Sequence, residues 1–194
     1  MPWTDVSEAE ARRFLSELTR KGAGATTVRR KLAAMRTFFR FLQRGGVISA
    51  NPFSMLKGPR KAKTLPRVLS IGDVQRFLEA PAKKLSEGRM SEFSALRDTA
   101  VFEFLYSTGC RISEAVGLKW ADVELDRGTA IVTGKGSKDR LVILGSHALE
   151  ALKRLRSHSA ASEDDDVFAN PRGGRISPRF IERRMKRYLA GAGL

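Results

Sequence analysis

One stretch near the start of the sequence spaces its apolar residues as an α-helix does. Between residues 26 and 45 the apolar positions step by four, three, four and three. They are Val28, Leu32, Met35, Phe39 and Leu42. Because a helical turn takes 3.6 residues, this spacing puts all five side chains on one face, which must pack against other apolar groups. The pattern predicts an N-terminal domain built from helices.

Helix signals continue along the rest of the chain. Ser7 with Glu10, and Ser70 with Asp73, have the spacing of capping boxes, and Ser146 is predicted to cap a further helix. An apolar helix from Phe93 ends at residues 108–109, and a last basic helix begins at 177–178. Helices therefore account for most of the predicted structure.

Three short segments between these helices have β character instead. They lie around 122–125, 129–133 and 140–144, with turn residues at 126–128 and 134–139 between them. Turns this short join antiparallel neighbours. The predicted fold class is therefore mainly α with a small three-stranded antiparallel β-sheet (α+β).

A basic segment separates two parts of the chain. Residues 57–67 read KGPRKAKTLPR, with two prolines, five basic residues and little to bury. This composition is typical of a linker. We predict a helical domain at 1–60, a linker at 61–68 and a second domain at 69–194.

Charge is segregated along the chain. The formal net charge is +15, and no acidic residue occurs between Leu18 and Gly72, where thirteen residues are Lys or Arg. Seven basic residues follow from Arg172 onward, with only Glu182 opposing them. Because single-sign surfaces repel themselves, such stretches within foldable sequence favour a polyanionic partner, most often nucleic acid.

Other classes of protein fit the sequence poorly. No apolar run is long enough to cross a membrane, and the acidic start is unlike a secretory signal. The single cysteine, Cys110, excludes an internal disulfide, and His147 and His158 lack neighbours at metal-ligand spacing. We expect a reducing, cytoplasmic location, no membrane association, no metal and no cofactor.

Four arginines lie along one side of the Val28–Leu42 helix, away from its apolar face. This arginine row consists of Arg29, Arg36, Arg40 and Arg44. No Glu is interleaved, so the usual ion pairs along a helix cannot form. The row is either solvated or laid along a phosphate backbone, and the charge segregation favours the second interpretation.

Two further cations lie where chemistry could occur. Arg111 follows Gly109 at a tight junction of two helices, where a rigid guanidinium suits a phosphate, although pairing with Glu114 would explain it equally well. Lys135 lies between two glycines in a hairpin tip. It is either an exposed turn lysine or an ammonium that the glycines allow to approach DNA closely.

Two motifs around these cations resemble one known family. The stretch TGCRISEAVGLKWADVELDRGTAIVTGKGSKDRLVILG is similar to the catalytic core of tyrosine recombinases, especially the bacterial Xer type. The stretch TTVRRKLAAMRTFFRFLQRGGVISANP is similar to their helical core-binding domain. The resemblance implies a two-domain clamp around double-stranded DNA and a partial catalytic domain at 69–194. It also implies a homo- or hetero-tetramer of recombinase protomers, in which a tyrosine forms a 3′-phosphotyrosyl intermediate without metal or cofactor.

The resemblance assigns roles to residues that match the motifs. Arg111 corresponds to a catalytic arginine, Lys135 to the hairpin lysine that protonates the departing 5′-oxygen, and Glu114 to a supporting acid. Lys138 and Arg140 fall where hairpin residues contact the DNA backbone. The remaining expected DNA-binding residues are Arg29, Arg36, Arg40, Arg44, Lys57, Arg60 and Lys61.

Part of the family's catalytic set has no counterpart in these 194 residues. The segment H-x-L-R-H is missing, because neither histidine has an Arg three residues later. Tyr106 is expected in the core, and Tyr188 precedes the position where that segment would stand, so no nucleophile is assigned. We therefore expect a C-terminally truncated recombinase that binds DNA without cutting it. The alternatives are a non-catalytic protein that occupies or scaffolds recombination sites, and a generic basic protein, which leaves both motifs unexplained.

Overall fold

The computed structural model describes residues 2–60 and 68–194, which fall in two compact units. We call them the N-terminal unit and the C-terminal unit, the latter beginning at Val68. Helices predominate and the strands form one three-stranded antiparallel sheet, so the predicted fold class is confirmed. The predicted linker, apart from Val68, lies outside the described residues, as does Lys61.

The N-terminal unit consists of two helices that pack on each other and a following segment that packs against them. A 3-10 turn at Trp3–Asp5 precedes α1 (Glu8–Arg20), and α2 spans Ala25–Arg44. Ser7 and Glu10 form the predicted capping box at the start of α1. The apolar face of α2 is buried against α1 and against Phe53 and Leu56 of the following segment.

The C-terminal unit is built around one helix that is buried along most of its length. Its helices are α3 (Ile71–Ser86), α4 (Glu92–Thr108), α5 (Ile112–Ala115), α6 (Ser146–His158) and α7 (Pro178–Gly191). Val101, Phe102 and Phe104 of α4 are almost fully buried, and α3 and α6 pack beside this helix. Burial on several sides explains why α4 lacks a polar face.

The sheet covers one end of this core. Its strands are β1 (Val123–Glu124), β2 (Thr129–Thr133) and β3 (Asp139–Ile143), in the order β1-β2-β3. Ala130, Val132 and Val142 face the core, whereas Leu141 and Ile143 face outward and are mostly exposed. The register pairs Val132 with Arg140, which therefore also points to the inner face.

One predicted helix boundary differs from the structure. Gly145 is the N-cap of α6, and Ser146 is its first helical residue rather than its cap. The backbone N–H of Gly145 donates to Oγ of Ser107, 2.7 Å away at the end of α4. A Cβ atom on Gly145 would lie 3.1 Å from that oxygen, so the close approach of α4 leaves little room for a side chain at the cap position.

Candidate active site and nucleic-acid interface

Arg111 lies where α4 turns sharply into α5. Gly109 ends α4 with φ +60°, a left-handed conformation that glycine adopts without the strain other residues incur. Arg111 is then the N-cap of α5, and its side chain is 73% exposed. The junction holds the Arg111 backbone in place while most of its guanidinium faces solvent.

Glu114 is the buried partner of this arginine. Its side chain is only 2% exposed. Oε1 accepts a hydrogen bond from Nη1 of Arg111 (2.8 Å), and Oε2 accepts one from the Arg111 backbone N–H (2.8 Å). Nη2 of Arg140 also donates to Oε2, at 2.9 Å. We call these three residues the Glu114 cluster.

The cluster keeps its carboxylate ionised. Hydrogen bonds from the Arg140 side chain and the Arg111 backbone, together with that from the Arg111 guanidinium, lower the pKa of Glu114 to about 2, outweighing the effect of burial. Two guanidinium groups share this single negative charge, so the cluster carries one net positive charge at neutral pH. A net positive group with exposed N–H donors is suited to a phosphate.

The β2–β3 hairpin is held against the same carboxylate. A Cβ atom on Gly134 would lie 3.2 Å from Oε1 of Glu114, so any other residue there would require the carboxylate to shift by a few tenths of an ångström. The Gly134 N–H donates to the Lys138 carbonyl (2.8 Å), and Gly136 turns the chain with φ +78°. Lys135 follows Gly134 directly and is exposed. The structure thus holds Arg111 and the base of the hairpin that bears Lys135 against the same carboxylate.

The arginine row on α2 divides into two parts. Arg29, Arg40 and Arg44 are exposed, and none of them forms an ion pair among the described residues. Arg36 is half-buried: its Nε donates to the Phe53 carbonyl (3.0 Å) and its Nη2 to the Leu56 carbonyl. It fastens the 51–56 segment to α2, so its guanidinium is engaged inside the unit rather than free for a ligand.

The basic segment after the N-terminal helices lies beside the exposed part of this row. Lys57 and Arg60 are exposed. Between them, Gly58 approaches so closely that a Cβ atom there would lie 2.9 Å from Cγ of Arg29. The stem of Arg29 therefore packs against the segment that carries Lys57 and Arg60.

A second row of cations, not singled out among the expected site residues, lies on α7. Arg179, Arg183 and Lys186 are exposed, lie on one helical face, and form no ion pair within residues 68–194. In the sequence, the run of basic residues after Arg172 indicates this surface. Their positions around the helix are also needed, because Arg184 belongs to the same run but lies on a different face of α7. Arg184 points inward to the buried Asp98.

Neither tyrosine belongs to the Glu114 cluster. Tyr188 is buried, and its hydroxyl donates to Oδ2 of Asp98 at 2.8 Å; burial and the Asp98 charge raise its pKa above the ordinary value. Tyr106 was expected in the core, and this prediction is wrong. Its side chain is 63% exposed because it points away from the buried side of α4, into a groove between α3 and the start of α6.

Two negative findings concern the described residues alone. None of their helices is long and apolar enough to cross a membrane. No group of three or more His, Cys, Asp or Glu side chains within residues 2–60 and 68–194 could hold a metal ion.

Two family models match the sequence. Residues 67–194 match the phage integrase family, and residues 1–46 match the phage integrase N-terminal SAM-like domain. Tyrosine recombinase XerC of Xanthomonas axonopodis pv. citri is 39% identical over 186 residues, which cover 96% of this chain and 58% of the relative. XerC of Thermodesulfovibrio yellowstonii is 37% identical, with 94% of this chain and 61% of the relative covered. The chain thus spans about six-tenths of these relatives' length.

Solved structures share the fold. A lambda integrase (residues 75–356) dimer bound to a COC′ core site matches all of this chain and 67% of its own, with a TM-score of 0.76 and 18% identity. A lambda integrase tetramer bound to a Holliday junction matches with a TM-score of 0.74 and 19% identity, over all of this chain and 55% of its own.

Proposed function

Because the chain belongs to the phage integrase family, whose relatives here are tyrosine recombinases, we propose that it holds duplex DNA for site-specific recombination. One observation carries this proposal. Arg111 and the hairpin that bears Lys135 are fixed around one buried carboxylate, yet both cations face solvent. Rigid, exposed cations of this kind stabilise the charge that develops during phosphoryl transfer.

The catalytic roles we propose follow from this geometry and belong to the whole protein. Arg111 would bind a non-bridging oxygen of the scissile phosphate. Lys135 would donate a proton to the 5′-oxygen as it leaves, while a tyrosine forms the 3′-phosphotyrosyl bond. Glu114 would keep Arg111 in place without contacting DNA, since its side chain is buried.

Each unit would contribute its own phosphate-binding surface. In the N-terminal domain that we propose at 1–60, this surface comprises the exposed part of the arginine row together with Lys57 and Arg60. In the second domain, proposed at 69–194, it comprises Lys138 and the row on α7. The basic linker at 61–68, with Lys61, would join them. Recombination would proceed among four like or unlike protomers on DNA, in the cytoplasm and without cofactor or metal.

Neutralising the N-terminal row tests the DNA-binding part of this proposal. We expect the combined change Arg29→Ala, Arg40→Ala and Arg44→Ala to weaken duplex affinity about 10- to 100-fold, and equally for unrelated sequences. Fluorescence anisotropy with labelled duplexes at fixed salt would measure it.

The matched control removes three arginines from α1. Arg12→Ala, Arg13→Ala and Arg20→Ala change the net charge by the same amount, and Arg12 and Arg20 are already paired with Glu8 and Glu17. An equal loss of affinity in both triple variants would mean that net charge, and not the α2 surface, binds DNA.

A second candidate function is DNA binding without cleavage, so that this stretch occupies or scaffolds recombination sites. The positions of the two tyrosines favour it, because Tyr188 is buried and Tyr106 lines a groove to which Arg111, Glu114 and Arg140 do not contribute. A nicked suicide duplex distinguishes the two functions for these 194 residues. Any covalent protein–DNA adduct would exclude the purely binding role.

A further inference from the structure

Arg140 occupies an unusual position in its strand. Side chains of a strand alternate between faces, and β3 directs Arg140 and Val142 inward but Leu141 and Ile143 outward. A charged residue thus lies on the inner face, with its side chain still 43% exposed, while two aliphatic residues on the outer face are 65% and 75% exposed. Burial of apolar surface alone would favour the opposite arrangement, and on the inner face Arg140 has a specific ionic partner.

That partner is Glu114. Oε2 of Glu114 accepts from Nη2 of Arg140 and from the Arg111 backbone N–H. Only Oε1 is then left for the Arg111 guanidinium, which makes a single hydrogen bond to it through Nη1. A free carboxylate would instead favour a two-bond fork with an arginine. With Oε2 engaged, the other N–H groups of Arg111 stay available to a phosphate.

From these contacts we infer that Arg140 is a positioning residue that acts through Glu114. It fixes the Lys135 hairpin against the Arg111 junction. It also prevents Glu114 from forming a second hydrogen bond with the Arg111 guanidinium. The inference rests on the proposed function for the meaning of Arg111 and Lys135. It assigns Arg140 a role different from the DNA-backbone contact expected from the motif. Arg140 acts here without touching the substrate.

The close approach of Gly134 supports the same coupling. Its ideal Cβ position lies 3.2 Å from Oε1 of Glu114 and 4.0 Å from Nη1 of Arg140. The base of the hairpin therefore packs directly on the ion-paired carboxylate. Moving Glu114 would displace the backbone next to Lys135 as well as the Arg111 side chain.

The first experiment needs no DNA and uses the full chain. The Glu114 carboxyl carbon would be titrated by NMR in the wild-type protein, in Arg140→Ala and in Lys138→Ala. We expect the pKa of Glu114 to rise from about 2 toward 4.5 in Arg140→Ala. Amide exchange of Gly134 should accelerate about tenfold as the hairpin loosens. Lys138→Ala, which removes an exposed charge from the same hairpin, should change neither quantity.

The second experiment measures how duplex affinity depends on salt in the same variants. A lost phosphate contact reduces the logarithmic slope by about one. We expect the slope to stay at the wild-type value in Arg140→Ala and to fall by about one in Lys138→Ala. The inference is overturned if Arg140→Ala lowers the slope while the Glu114 titration stays at the wild-type pH.

A conservative variant covers the possibility that Arg140→Ala does not fold. Arg140→Lys keeps the charge but not the planar guanidinium, so the pKa of Glu114 should lie between the wild-type and alanine values. An unchanged titration in Arg140→Lys with a folded hairpin would also overturn the inference. Failure of the wild-type chain to bind duplex would refute the proposed function and leave the titration result standing.

Discussion

Replacing Asp98 by alanine is expected to lower the free energy of unfolding of the C-terminal unit by about 3–5 kcal/mol. The reason is that Arg97 and Arg184 would lose the carboxylate that neutralises them inside the protein. Asp98 is completely buried on α4. Oδ1 accepts from Nε and Nη2 of Arg97 (3.0 and 2.7 Å), and Oδ2 accepts from Nε of Arg184 (2.6 Å) and from the Tyr188 hydroxyl (2.8 Å). One carboxylate thus ties α7 to α4.

The two tryptophans allow this loss to be assigned to one unit. Trp120 is buried in the C-terminal unit and Trp3 is mostly exposed in the N-terminal unit. In a Trp3→Phe background, urea unfolding followed by fluorescence reports on the C-terminal unit alone. The control Asp164→Ala removes an exposed carboxylate and should change stability by less than about 0.5 kcal/mol. A loss below about 1 kcal/mol in Asp98→Ala would show that the buried network contributes little.

Under the proposed function, replacing Arg111 by alanine is expected to reduce DNA cleavage about 10²- to 10³-fold or more while duplex affinity changes little. The reason is that a preorganised donor contributes most where charge develops in the transition state. Because the Arg111 side chain is largely exposed, its removal leaves no cavity in the core. Single-turnover formation of the covalent adduct on a suicide duplex would measure the rate.

The control for Arg111 is an arginine in an ordinary turn. Arg127→Ala removes an exposed guanidinium whose only described ion pair is with exposed Glu124. Its cleavage rate should match that of the wild-type protein. If Arg111→Ala instead lost its fold, or lost affinity as much as rate, pairing with Glu114 would be its main role and the catalytic assignment would fail.

The helices and the hairpin could be predicted from sequence because their signals are local. The capping box at Ser7 and the β2 strand at Thr129–Thr133 depend on neighbours within a few residues, and both are confirmed. The pairing of Arg111 with Glu114 was also among the alternatives that the spacing left open. The motifs placed Arg111, Lys135 and Glu114 together. Arg111 is hydrogen-bonded to Glu114, and Gly134, the neighbour of Lys135, lies against the same carboxylate, while the catalytic roles stay predictions.

Features that depend on contacts distant in sequence could not be predicted. Asp98 meets Arg184 and Tyr188 across 86 and 90 residues, and although helical phase separates Arg184 from the exposed cations of α7, no local pattern identifies Asp98 as its partner. The sequence predicts Tyr106 in the core because α4 is apolar on most sides. Only the structure shows which side of α4 is exposed to solvent, and Tyr106 lies on that side. Arg36 lies at the same helical phase as the exposed arginines, so the sequence groups it with them. The 51–56 segment to which it is hydrogen-bonded has no periodic pattern that would predict this contact.

The central claim is that the exposed cations of both units bind the phosphates of duplex DNA. The most direct test is the affinity of the wild-type chain for a duplex as a function of salt. With roughly six or more phosphate contacts, affinity should fall about 10³-fold or more between about 50 and 200 mM monovalent salt, linearly on logarithmic axes. An affinity that stays constant over this range would contradict the claim.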